Sequence, residues 1–232
     1  MIDFVLKAYE LKDEMRAGWK LRGIRNPESV ADHSWGTALL CWLYAPQAGK
    51  AESIDRERAV SMAVFHDIAE AEMGDVATRV YESERSVSPS EKQRLERSAF
   101  SLMYGLLQEG SDSLEDSTAG TDDGETVAPE SNKASTAAEE LSALWQEYER
   151  GVSPTARFVR DMNLCDMCAQ ALIYQGSRRY DPEAESHEFR HFGNLDEFFE
   201  TSRRRISTTI GSQLFAVIEG RYRSILDTDA RP

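Results

Sequence analysis

Apolar residues recur three and four positions apart along most of the chain, which is the spacing of one face of an α-helix. Residues 2–15 carry this pattern between interleaved acids and bases. No segment shows the alternation of apolar and polar residues that is typical of a β-strand. The pattern therefore predicts an all-α protein, with helices at residues 2–15, about 28–46, about 53–67, 90–107, 137–150, 156–174 and about 205–226.

The segment from 110 to 135 interrupts this pattern, because Ser, Thr, Asp, Glu and Gly replace the apolar residues. A segment with almost nothing to bury cannot offset the entropy lost on ordering it. We therefore predict an acidic, disordered insertion between two helices. The 232 residues fit one domain, residues 1–232, with a C-terminal helical extension at 176–232.

The charge and the cysteines narrow the classes of protein. A net charge of −14 makes a nucleic acid an unsuitable partner, and eight acids against one lysine lie between Glu109 and Lys133. No apolar run approaches the length of a membrane span, and the start of the chain does not resemble a signal peptide. Three cysteines cannot form a disulfide framework, so a cytoplasmic location is expected. Cys165 and Cys168 form a C-x-x-C pair, which we interpret as two core residues in preference to a redox or zinc motif.

Residues 64–76 read VFHDIAEAEMGDV and carry the first candidate chemistry. If the segment is one helix, His66 and Glu70 share a face, with Asp67 beside them. Imidazole and carboxylate together suit divalent Mn, Fe, Co, Ni or Zn, and a further carboxylate serves a metal-activated water as proton acceptor. A bare His-Asp pair also occurs at surfaces and helix caps, so that alternative stays open at this point.

His33 supports the hypothesis of a metal site, although a lone histidine among apolar neighbours is more often a core residue whose hydrogen bonds are satisfied. It lies one helix before the His-Asp pair, and two consecutive antiparallel helices can bring His33 beside His66. The other two histidines, His187 and His191, lie in a segment rich in Glu and Arg and are expected on a solvated surface.

Three segments together resemble a known family. They read GWKLRGIRNPESVADHS, FHDIAEAEMGD and ARFVRDM, and in this order they resemble the HD-domain metal-dependent phosphohydrolases, more narrowly the 5′-deoxynucleotidase subgroup. The resemblance implies a helical bundle around one divalent metal ion (Mn, Co, Fe, Ni, Zn or Mg). It also implies a nucleoside 5′-monophosphate as the small-molecule substrate, and a homodimer.

The resemblance also implies roles for single residues. Glu70 and Asp67 match catalytic positions, and the family carries an arginine just before the tryptophan where this chain has Gly18. That difference makes Arg22 a candidate replacement in the phosphate clamp. The implied substrate contacts are Trp19, Arg22, Arg25, His33 and Asp75, and the implied metal ligands are His33, His66, Asp67 and Asn163.

Asn163 departs from the family pattern, D-x-D-x-x-E-M, whose second aspartate binds the metal. An amide oxygen can still serve as a ligand, but the site loses one negative charge. Asp161 and Asp166 flank this position and are alternative ligands. The departure leaves open a catalytically weakened nucleotide-binding or sensor module. Because related enzymes cleave nucleoside di- and triphosphates, those substrates stay open as well.

Overall fold

The computed structural model describes residues 1–48, 53–81, 83, 85–118, 136–181, 183 and 191–229, with the backbone alone for 110–118 and 229. The described residues form helices and no strand, which confirms the all-α prediction. None of the described helices is both long and apolar enough to cross a bilayer. The α-helices are α1 (Ile2–Tyr9), α2 (Ala17–Leu21), α3 (Val30–Tyr44), α4 (Arg56–Phe65), α5 (Glu70–Met73), α6 (Pro89–Thr118), α7 (Ala137–Arg150), α8 (Pro154–Gly176), α9 (Asp196–Arg203) and α10 (Thr209–Asp229).

Several helix boundaries differ from the prediction. The first helix ends at Tyr9 and a single 3₁₀ turn, Glu10–Lys12, follows it. The short helix α2 and the eight-residue helix α9 were not predicted. Helix α6 continues to Thr118, and the rest of the predicted insertion, residues 119–135, lies outside the described residues.

Side-chain caps explain where the central helices begin. Ser29 and Asp32 form a capping box, in which each side chain accepts a hydrogen bond from the other residue's backbone N–H. Helix α3 therefore begins at Val30, two residues after the predicted start at about residue 28. Helix α8 begins with Ser153 as its cap and Pro154 in its first turn, where the missing N–H of proline costs nothing.

One hydrophobic cluster joins α3, α4, α8 and α10. Phe158, Met162, Cys165 and Cys168 of α8 are fully buried in it, which confirms the interpretation of the two cysteines as core residues. Helix α10 contributes apolar side chains to the same cluster, namely Ile210, Leu214, Phe215 and Ile218. Helix α10 therefore shares the core of the bundle.

A second cluster joins α1, α6 and α7, where the rings of Phe100 and Trp145 stack with centroids 4.0 Å apart. The chain passes from one cluster to the other between Ala63 and Ile68. Met62 and Ala63 belong to the first cluster, and Ile68 and Ala69 belong to the second. The His66–Asp67 pair therefore lies at the junction of the two clusters.

Candidate metal centre and cavity

Three sequence-predicted residues meet at this junction. The Nε2 atom of His66 lies 3.1 Å from Oδ2 of Asp67, and Nε2 of His33 lies 3.9 Å from the same oxygen. The potential ligand atoms of the three residues all lie within 4.8 Å of one another. Two imidazoles and one carboxylate at this spacing suit a divalent transition metal.

The Nδ1 atom of each imidazole has a polar partner that fixes the orientation of the ring. Nδ1 of His66 donates to the backbone carbonyl of Ala63 at 2.7 Å, which leaves Nε2 as the unprotonated nitrogen. Nδ1 of His33 lies 2.7 Å from Oδ2 of Asp166. Both Nε2 atoms are buried and have no hydrogen-bond partner among the described residues. Two orphaned ring nitrogens beside a carboxylate are the donor set that a metal ion would satisfy.

His66 and Glu70 do not share a helix, contrary to the prediction. Helix α4 ends at Phe65, His66 is its C-terminal cap residue, and Glu70 begins the separate helix α5. Helix α5 ends at Gly74, whose φ of 74° suits a residue without a side chain. The two functional side chains therefore converge through a turn between helices.

Arg16 is the cation of this site, and the sequence reasoning missed it. Its Nη1 atom lies 3.2 Å from Asp67 Oδ2, 3.7 Å from Asp75 Oδ1 and 3.9 Å from Glu70 Oε2. Burial disfavours the charge of Arg16, but the neighbouring carboxylates outweigh it and raise the pKa of the guanidinium. The available signal was its place at the start of the R-A-G-W segment, three residues before Trp19.

Two of the three acids beside Arg16 have pKa values that are shifted in opposite directions. Burial opposes the ionisation of Asp67, but His66 and Arg16 lower the pKa of its carboxyl well below its usual range. Burial raises the pKa of Glu70, and the negative charges of Asp67 and Asp75 raise it further. Oε2 of Glu70 is buried without a hydrogen-bond partner among the described residues. Glu70 is therefore the carboxyl suited to exchange a proton.

Asp75 lies in the site, but one of its carboxylate oxygens is bonded to the backbone at the start of α2. Its Oδ2 accepts the backbone N–H of Ala17 at 2.6 Å, at the first residue of α2. This bond satisfies one of the unpaired donors of the helix start. Asp75 thereby fixes α2, and with it Arg16, against the loop that follows α5.

The three predicted substrate contacts around α2 have different positions. Trp19 is 1% exposed and lines the cavity described below. Its ring packs against that of Phe198, with the centroids 4.0 Å apart and the planes tilted by 33°. Arg22 is fully buried and donates to the carbonyl of Phe192 at 3.2 Å. Arg25 is exposed and donates to the carbonyl of Arg178. The structure brings Trp19 to the cavity and places neither Arg22 nor Arg25 in its lining.

Three polar residues of α8, described in turn below, point in three different directions. Asn163 lines the cavity, and its Nδ2 donates to the hydroxyl of Tyr148 at 2.8 Å. Asp166 lies behind His33, away from the Nε2 atoms. Asp161 accepts hydrogen bonds from the backbone and hydroxyl groups of Thr208 and from the backbone of Ser207. Asp161 therefore does not reach the metal centre, and Asp166 supports one of its ligands.

A cavity of about 310 Å³ extends from the metal centre towards α9. This volume is at the lower end of the range for small-molecule sites. Its lining includes residues that the sequence reasoning did not select, because each is separated from the motifs by many positions: Lys92, Tyr148, Arg160, Glu197, Thr201 and Arg205. His191 is exposed, whereas His187 lies outside the described residues.

Comparison with known proteins identifies the family. Residues 8–201 match the HD domain. The chain is 32% identical over 185 residues to the 5′-deoxynucleotidase hdd1 of Schizosaccharomyces pombe, covering 80% of this chain and 76% of that protein. It is 28% identical over 219 residues to the human 5′-deoxynucleotidase HDDC2, covering 94% and 84%.

A solved structure gives the same answer for the fold. The PH0347 protein from Pyrococcus horikoshii superimposes with a TM-score of 0.61 at 27% identity, covering 96% of this chain and 99% of that one. The match extends over the helices that supply His33, His66, Asp67 and Asn163. The chain therefore belongs to the HD domain family of metal-dependent phosphohydrolases, and it resembles the 5′-deoxynucleotidase subgroup.

Proposed function

We propose that the chain releases phosphate from deoxynucleoside 5′-monophosphates in a reaction that depends on a divalent metal. One observation carries this proposal: His33 and His66 present buried, unpartnered Nε2 atoms to Asp67, beside a cavity that also contains Arg16 and Glu70. The names of the relatives, 5′-deoxynucleotidases, support this choice of substrate.

The proposed ligands are Nε2 of His33, Nε2 of His66, the carboxylate of Asp67 and the amide oxygen of Asn163. A divalent ion held by them would polarise a phosphoryl oxygen and lower the pKa of a water molecule. Because Nδ2 of Asn163 donates to Tyr148, Oδ1 is the atom of that side chain left for a metal. Asn163 in place of aspartate weakens the attraction between this site and a cation.

Two further residues act on the phosphate ester. Arg16 is charged and is held by three carboxylates. It offsets the negative charge of the phosphoryl group, and it thereby takes the role first assigned to Arg22 and Arg25. In its ionised form Glu70 accepts the proton of the attacking water, and its raised pKa makes it a stronger base than Asp67. Trp19 and Asp75 also line the cavity, and we assign them to the sugar that follows the phosphate.

The test is an assay of phosphate release with Mn²⁺, Co²⁺ or Mg²⁺ on deoxynucleoside mono-, di- and triphosphates. Activity on monophosphates that is abolished by His66→Ala supports the proposal. Activity that appears only in Asn163→Asp identifies the natural chain as a nucleotide-binding module. If both proteins are inactive and equilibrium dialysis finds no bound metal, the proposal is overturned.

Two expectations of the sequence analysis stay predictions. A homodimer is one, and sedimentation equilibrium of the purified chain measures it directly. The cytoplasmic location is the other, and fractionation of cells that express the full chain tests it.

A further inference from the structure

Helix α9 forms part of the wall of the cavity. Glu197, Phe198 and Thr201 of this helix all line the cavity. Glu197 and Thr201 are four positions apart, so their side chains share one face of the helix. The face that α9 presents to the cavity therefore combines a carboxylate, an aromatic ring and a hydroxyl.

The two polar side chains of this face have unsatisfied atoms. Glu197 is 2% exposed, and its Oε1 accepts from Arg79 Nε at 3.0 Å and from the backbone N–H of Val80 at 3.2 Å. Its Oε2 atom has no hydrogen-bond partner among the described residues, and the same is true of Oγ1 of Thr201, which is 7% exposed. A buried oxygen of a charged group is costly to leave unpaired, so these atoms point to a polar ligand.

The loop after α5 connects the part of the cavity around Arg16 to the part around Glu197. Asp75 binds the start of α2 beside Arg16, and Val80 binds Glu197 five residues later. The intervening residues 76–78 line the cavity. A ligand whose phosphate lies at Arg16 therefore extends along this loop towards α9, where a nucleotide has its base.

We propose that the α9 face binds the nucleobase and that Oε2 of Glu197 accepts a hydrogen bond from an exocyclic amino group. This inference rests on the proposed function, because it assumes a nucleotide in the cavity. A carboxylate oxygen is only an acceptor. It pairs with the amino group of cytosine or adenine, and it repels the carbonyl oxygen that uracil and hypoxanthine carry at the same position.

Glu197→Gln reverses the recognition in a predictable way. Arg79 Nε and Val80 N still need an acceptor, so the amide oxygen takes the place of Oε1. The amide NH₂ then occupies the position of Oε2 and becomes a donor. The variant should therefore prefer bases that carry the carbonyl oxygen.

The experiment compares dCMP with dUMP, and dAMP with dIMP. In each pair a carbonyl oxygen replaces the amino group, and the adjacent ring nitrogen changes from an acceptor to an N–H donor. In the natural chain we expect kcat/KM to favour the amino base by about 10- to 100-fold, the effect of one hydrogen bond to a charged group. In Glu197→Gln we expect the preference to disappear or reverse. The control is Glu200→Gln, a partly exposed acid of the same helix that pairs with Arg203 and Arg204, and it should keep the natural ratio.

Binding measurements separate this inference from the proposed function. If no nucleotide releases phosphate, the proposed function fails, and equilibrium dialysis of dCMP and dUMP then tests base recognition. If dCMP and dUMP are hydrolysed or bound equally well, or if Glu197→Gln keeps the natural preference, the inference is wrong. If Glu197→Gln does not fold, Thr201→Val replaces it, and an unchanged affinity for all four nucleotides would likewise overturn the proposal.

Discussion

The Nδ1 atom of His33 lies 2.7 Å from Oδ2 of Asp166, on the side of the ring opposite to Asp67. Helix α8 reaches α3 here only because position 36 is glycine, where a Cβ atom would overlap the carboxylate of Asp166. Burial lowers the pKa of His33 to about 3 and raises the pKa of Asp166 to about 7. His33 is therefore uncharged near neutral pH, with Nε2 available to a cation.

We expect Asp166→Asn to weaken metal binding. An asparagine amide can donate to Nδ1 and move the ring proton to Nε2, which then cannot bind a metal. Loss of such an outer partner lowers metal affinity by about 10- to 100-fold. Titration calorimetry with Mn²⁺ measures the change. Asp227→Asn, at an exposed position of α10, is the control and should bind as the natural chain does.

Arg16→Gln should lower kcat/KM for a deoxynucleoside monophosphate by at least about 100-fold, since it removes a charged partner of the phosphoryl group. Arg25→Gln should leave kcat/KM within about twofold, because Arg25 is exposed and donates to a backbone carbonyl. Steady-state kinetics of both variants decide which arginine serves the phosphate. The assignment of Arg16 fails if Arg25→Gln is the more damaging change.

Glu70→Gln should lose activity and gain stability at high pH. Removal of a positioned proton acceptor costs about 10²- to 10⁴-fold in kcat. The folded-state pKa of Glu70 is raised above its ordinary value of 4.5, so the folded protein binds this proton more tightly than the unfolded chain. Its contribution to stability is present at low pH and is lost as the pH rises through the folded-state pKa.

The glutamine side chain of Glu70→Gln does not ionise, so the variant does not lose stability in this way as the pH rises. In metal-free protein, the melting temperature of Glu70→Gln should therefore exceed that of the natural chain at pH 8, with a smaller difference at pH 5. Differential scanning calorimetry at the two pH values measures it. An advantage at pH 5 that shrinks towards pH 8 would contradict the raised pKa.

Tyr148→Phe tests the support of Asn163. The substitution removes the acceptor of Nδ2 but keeps the ring, whose centroid lies 5.2 Å from that of His66. Loss of one neutral hydrogen bond should weaken Mn²⁺ binding by about 2- to 10-fold. Tyr104→Phe is a matched control, because its hydroxyl also accepts an amide hydrogen bond, from Gln108, and lies away from the cavity. Equal losses in both variants would mean that Tyr148 does not act on the metal site.

Periodicity predicted the long helices because spacing along a helix reports burial directly. Phe158, Met162 and Cys165 of α8 show this, since all three are fully buried. Helix α9 was missed for the same reason. It has only eight residues, and three of its four buried residues, Glu197, Thr201 and Ser202, are polar.

The motifs predicted that His33, His66 and Asp67 come together, whereas they did not predict the surroundings of these residues. A helical wheel assigns one centre to a helix, but α8 has several neighbours, so Asp161, Asn163 and Asp166 face α10, the cavity and α3 respectively. For a similar reason, the sequence reasoning selected Arg22 and missed Arg16. The single turn of α2 directs Arg22 into the interior and leaves Arg16 beside Asp67, and sequence distance does not reveal this orientation.

The contacts of Asp161 extend the folding unit beyond the residues that match the HD domain. That match ends at residue 201, yet the buried carboxylate of Asp161 depends on Ser207 and Thr208, which precede α10. A protein shortened to residue 201 would keep every proposed metal ligand and still expose an uncompensated charge on the helix that carries Asn163. A boundary chosen from the domain match alone would therefore separate helix α8 from the anchor that keeps it in register.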